Sequence, residues 1–119
     1  MAEQRLIIEM GMGNDLHGQD YTKAAKRAIE DAFRHSSLPL FGVVGMGHDQ
    51  MRVQVTVGVQ KPEAVDKSAL VATLPRGRAE VCVVKGGLNV ATDSDDPIVV
   101  AQASVEAFLP VQEGWQLKK

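Results

Sequence analysis

The sequence predicts an α+β domain, a mixed four-stranded sheet with two helices on one face, in the order β-α-β-α-β-β. Three observations predict it. Residues 52–60 alternate Val53, Val55, Val57 and Val59 with Arg52, Gln54, Thr56 and Gln60, the period-two pattern of a half-buried strand. Residues 20–35 carry Ala24, Ala25, Ala28, Ile29, Ala32 and Phe33 on one helical stripe. Helical and strand-like runs then alternate along 119 residues, the length of one domain, spanning 1–119.

Each element has its own reason. Residues 5–10 read as a short buried strand, closed by Gly11. Met12 and Asn14 follow in what reads as a glycine-punctuated loop. Asp20 is the expected N-cap of the first helix. Its stripe is rich in alanine, so the helix can lie close against a sheet, with Lys23, Lys26, Arg27, Glu30, Asp31 and Arg34 mostly outward. Pro39 ends it, because a residue before proline avoids the helical region.

Residues 40–44 fit either a short strand or an extended loop. The valine-rich strand at 52–60 closes at Pro62. Val65, Ala69, Leu70 and Thr73 set a second helix over 63–74, and residues 75–78 make a turn. Residues 79–84 are a strand in which Cys82 alternates with Val81 and Val83 and is expected in the core. Gly86 and Gly87 mark a bulge or kink, after which 88–91 continues the same strand. Residues 93–97 form a polar turn. Residues 98–109 show strand periodicity and pair as a hairpin with the strand before, with a helix as the alternative. Trp115 is expected to anchor the tail.

Composition narrows the function. The net charge is −2, and no basic run is interleaved with aromatics, which argues against nucleic acid. The lone Cys82 fits a reducing compartment and offers no thiolate metal pattern. Glu3 and Arg5 interrupt any signal-peptide core, and no apolar window is long enough to span a membrane. A cytoplasmic protein without membrane partners is expected. Aromatic residues make up only 4% of the chain, so the core is built from small aliphatics and is thin. Assembly into a homo-oligomer would reinforce it.

The chemistry concentrates in Gly11-Met-Gly-Asn-Asp-Leu-His-Gly18. The stretch lacks the third glycine of a dinucleotide fingerprint and the Gly-Lys-Ser/Thr of a P-loop. What remains is a turn before a helix N-terminus, where free backbone N–H groups and the helix dipole favour anions. Asp15 and His17 are the candidate acid-base pair, with Gly11, Gly13, Asn14 and Gly18 as candidate ligand-binding positions. The structural alternative has Asp15 capping backbone N–H groups and His17 filling a gap.

A shorter echo, Gly45-Met-Gly-His-Asp49, adds His48 and Asp49 as further catalytic candidates. Should the two stretches meet, His17 and His48 could ligate a divalent metal such as zinc or manganese. Lys85 could reach a site from the glycine kink, and Met10, Met12, Met46 and Met51 could line an apolar pocket.

The N-terminal motif Gly-x-Gly-x-Asp-x-His-Gly, followed by Gln19-Asp20 and a Lys-Ala-Ala helix, resembles the hallmark of a conserved hypothetical family. That family is named after a Listeria locus and has relatives in other bacteria and in plants. Pro39, Pro62, Val65-Asp66, Pro75 with Gly77, and Gly86-Gly87-Leu88 extend the resemblance over most of the chain. It implies a shared motif without a particular activity. The element order also resembles the trimeric chorismate-mutase-like folds, in topology only. Three readings follow: a small oligomeric enzyme acting on a small molecule through Asp15 and His17, a non-catalytic metal- or metabolite-binding module, or a structural subunit of an assembly.

Overall fold

The structure is a computed structural model that describes residues 3–34, 52–74 and 78–110. The elements are β1 (Glu3–Asp15), α1 (Tyr21–Arg34), β2 (Arg52–Val59), a 3-10 turn (Pro62–Ala64), α2 (Lys67–Ala72), β3 (Arg78–Lys85), β4 (Leu88–Val90) and β5 (Ile98–Pro110). The strands form one sheet in the order β1-β5-β2-β3, with β4 also paired to β5. β5 runs antiparallel to β1, β2 and β4, while β2 and β3 are parallel. The α+β class stands.

One face of the sheet holds the core. Val53, Val55, Val57 and Val59 from β2 meet Val99, Ala101, Ala103, Val105 and Ala107 from β5, and Leu70 of α2 joins them. The alternation read in the sequence is the alternation found: β2 buries every second residue. Each fully buried valine contributes roughly 1.5–3 kcal/mol, so this row is the main hydrophobic support of the sheet. Helix α1 lies on the same face and buries Ala24, Ala25, Ala28 and Ala32 completely. The Asp20 carboxylate accepts from Lys23 N–H at 3.0 Å, as an N-cap does.

Four expectations change. First, β1 does not close at Gly11; it runs unbroken to Asp15, so Met12 and Asn14 are strand residues. Gly11 and Gly13 face α1, where a Cβ would come within 3.0 Å of backbone atoms of Ala28, Ala32 and Arg27. The glycines admit the helix backbone against the strand; they do not loosen a loop.

Second, the sheet has five strands. At Gly86 and Gly87 the chain does not kink and continue. It leaves the lane beside β2, crosses Gly58, and enters the lane beside β5 as β4, where Leu88, Asn89 and Val90 pair with Val100, Val99 and Ile98. A Cβ on Gly58 would stand 3.3 Å from Gly86 Cα, and one on Gly86 3.2 Å from Gly58 Cα, so a side chain at either position would push the crossing strands slightly apart. Gln60 Nε2 donates to the carbonyls of Gly86 and Gly87 at 3.1 and 3.2 Å and ties the crossing down.

Third, the second helix is split. Pro62–Ala64 forms a 3-10 turn, Val65 is extended, and Asp66 caps a separate six-residue helix by accepting from Ala69 N–H. Fourth, Cys82 is exposed. Val81 and Val83 take the core side, so the period of two turns Cys82 to the opposite face, which carries no layer among the described residues. The hairpin at 98–109 is a strand, as its alternation indicated, and no described helix is long and apolar enough to cross a membrane. The expectations for Pro39, residues 40–44, Gly45–Asp49, the turn at Pro75–Gly77 and the Trp115 tail fall outside the described residues.

Candidate functional site

The corner where β1 gives way to α1 holds Asp15 and His17, the candidate acid-base pair. Gly18 (φ 91°) and Gln19 (φ 50°) both adopt the left-handed region and reverse the chain between strand and helix. For Gln19 that conformation costs about 1 kcal/mol or more, a strain that the surrounding contacts must hold in place.

Asp15 is the anchor of the corner. Its residue is 2% exposed, yet its carboxylate is fully engaged: one oxygen accepts from Asp20 N–H at 2.8 Å, and the other lies 3.5 Å from Lys23 Nζ. A carboxylate buried in this way needs partners, and it has a backbone donor and an ammonium. Asp15 therefore positions the helix start, as the capping alternative foresaw.

His17 is different. Its side chain is 91% exposed, so it does not fill a gap. Its Nδ1 stands 3.9 Å from an oxygen of Asp96, which comes from the turn before β5. The same Asp96 carboxylate accepts from Gly18 N–H at 2.9 and 3.2 Å. That turn is braced from within: Thr92 Oγ1 accepts from Ser94 N–H, and Ser94 Oγ accepts from Asp96 N–H. Asn89 Nδ2 donates to Tyr21 Oη at 2.6 Å and fastens β4 to the first turn of α1. A cleft of about 430 Å³ lies between the two loops, lined chiefly by Leu16, His17, Thr92, Asp93, Asp96 and Ile98.

The outer edge of β1 is partly occupied near its C-terminal end. Asp31 accepts from Met12 N–H at 3.0 Å, and Arg27 donates to the Asn14 carbonyl at 2.6 Å. Side chains of α1 thus occupy backbone groups that would otherwise invite another strand.

The site residues named from sequence divide as follows. Asp15, His17 and Gly18 share the corner. Gly11 and Gly13 lie along the helix contact, and Asn14 offers its carbonyl to Arg27. His48 and Asp49 lie outside the described residues. Among the described residues no group of three or more His, Cys, Asp and Glu side chains could hold a metal ion. The sequence reading missed Asp96, Lys23 and Arg27. Asp96 had a signal in the Asp-rich turn ahead of Pro97, but the turn lies 78 residues from Gly18 and only the sheet brings the two together.

Comparison with known proteins gives a consistent identity without an activity. The crystal structure of an FtsZ-like protein of unknown function from Nostoc punctiforme PCC 73102 is similar, with a TM-score of 0.80 and 41% sequence identity. The match covers 92% of this chain and 98% of that one. No curated protein matches. Residues 5–107 match the family described as "Conserved hypothetical protein (Lin0512_fam)", and the chain belongs to that family.

Proposed function

We propose that the protein binds a small molecule in the cleft between residues 16–18 and 92–98, where His17 exchanges a proton with it and Asp96 orients the imidazole. The observation that carries this reading is the approach of His17 Nδ1 to Asp96, 3.9 Å, at the mouth of a cleft with apolar walls from Leu16 and Ile98. An exposed imidazole beside a carboxylate is equipped to give or take a proton once a ligand excludes water. Asp15, engaged by Asp20 and Lys23, acts as a positioning residue.

A cytoplasmic homo-oligomer is part of the same proposal, supported by the thin core of valine and alanine. Light scattering on the purified chain tests the assembly. The site is tested by screening metabolites for thermal stabilisation and following the His17 ring resonances by NMR. A true ligand moves those resonances, and its stabilisation is lost in His17→Ala and halved or worse in Asp96→Asn. Ligands that stabilise both variants as well as the parent chain, leaving the ring signals in place, would refute the site.

A further inference from the structure

The sequence pointed to free backbone N–H groups at the corner between β1 and α1 as a grip for anions. In the fold those groups are taken: Gly18 N–H donates to Asp96, Asp20 N–H to Asp15 and Lys23 N–H to Asp20. What the corner leaves available is side-chain charge. Lys23 and Arg27 stand about one turn apart on α1, at the i and i+4 spacing where two like charges destabilise a helix. Together with Asp15, Leu16 and His17 they line a hollow of about 230 Å³. Leu16 and His17 also line the cleft that faces Asp96, so the two hollows are neighbours.

The charges around this hollow do not cancel. Asp15 brings one carboxylate, and Lys23 Nζ answers it at 3.5 Å. Among the described residues no carboxylate pairs with Arg27. Arg27 donates to the Asn14 carbonyl at 2.6 Å, a neutral acceptor that fixes the guanidinium without neutralising it. The two carboxylates farther along α1 do not line the hollow: Glu30 faces Arg34 at 3.9 Å, and Asp31 accepts from Met12 N–H. The balance is therefore positive even with His17 neutral. A guanidinium held in place presents its remaining donors as a fork that fits a carboxylate or a phosphate, and it is more weakly hydrated than an ammonium. We propose that this hollow seats the oxyanion group, carboxylate or phosphate, of the small molecule that His17 meets. The proposal rests on the His17 cleft and adds the chemical class of its ligand.

The probes are inorganic phosphate and acetate, titrated into the purified chain. Sodium chloride holds the ionic strength constant, because exposed charges are screened by salt. The NMR signals of Arg27 Nε–H and of the His17 and Lys23 amides report binding. At least one probe is expected to move them along a saturating curve, and a response to one probe alone tells which group the ligand carries. Arg27→Gln is expected to weaken that binding about tenfold, followed on the two amides. Arg27→Lys keeps the charge and loses the fork, and is expected to weaken it about threefold. Arg34→Gln removes the same charge about two turns along α1, outside the hollow, and is expected to change binding by less than about twofold. Circular dichroism verifies that each variant is folded. No saturable shift with either probe, or equal weakening by Arg27→Gln and Arg34→Gln, would overturn the proposal. The cleft and the anion seat fail separately. A probe that binds His17→Ala as it binds the parent chain upholds the seat whatever becomes of the cleft. A metabolite that moves the His17 ring and binds Arg27→Gln as tightly as the parent upholds the cleft and refutes the seat.

Discussion

The two halves of the motif Gly11–Gly18 look alike in sequence and do opposite things. In the first half, Gly11 and Gly13 lie in a regular strand and are glycine because the helix backbone occupies the space a Cβ would need. In the second half, Gly18 has nothing within 4 Å of its missing Cβ, and is glycine because its φ is 91°. One half holds the molecule together by close approach. The other gives the chain the freedom to turn and carries the candidate chemistry. Glycine spacing alone does not reveal which reason applies, and the contrast separates scaffold from site.

Substitutions can break that contrast. The largest effect is expected from Gly13→Ala, which forces α1 away from β1 against rigid backbone and should cost roughly 3 kcal/mol, measured by urea denaturation. A tolerated Gly13→Ala would show that the helix does not lie as close as described. Asp15→Ala should follow, at roughly 1–3 kcal/mol, because it leaves the Asp20 N–H without its partner and Lys23 without its counter-charge. Asp20→Ala removes the cap of α1 and should cost about 1 kcal/mol.

Gly18→Ala meets no clash, only left-handed strain, and should also cost about 1 kcal/mol, well short of Gly13→Ala in the same denaturation series. If Gly18→Ala proved the more damaging of the pair, the division of the motif would be reversed. The smallest effect on stability belongs to His17→Ala, within about 0.5 kcal/mol, since the ring is exposed. A large loss of stability there would point to a structural histidine and away from the proposed site.

The comparison also explains which parts were legible in advance. The β2 valines and the α1 alanines announced their elements because burial on one face imposes a period that the sequence must repeat. Asp20 announced the helix start because capping is a local bond between near neighbours. Gly11 and Gly13 misled because a close approach depends on partners in the following helix, Ala24 to Ala32, and Cys82 misled because the sheet has a second face that no described layer covers. Met10 and Met12 were read as possible pocket walls, and they do line an open groove on the sheet. Lys85 lies beside it, but the strand crossing at its rim was not visible.

The chain by itself determined its class, the order of its main elements and the identity of its core rows, since these follow from side-chain periodicity and near-neighbour bonds. Only the tertiary structure decided that Asp96 meets His17, that Asp15 is an anchor, and that the chain changes lanes at Gly86. Those outcomes depend on contacts between residues remote in sequence, and no local pattern encodes the distance across a folded sheet.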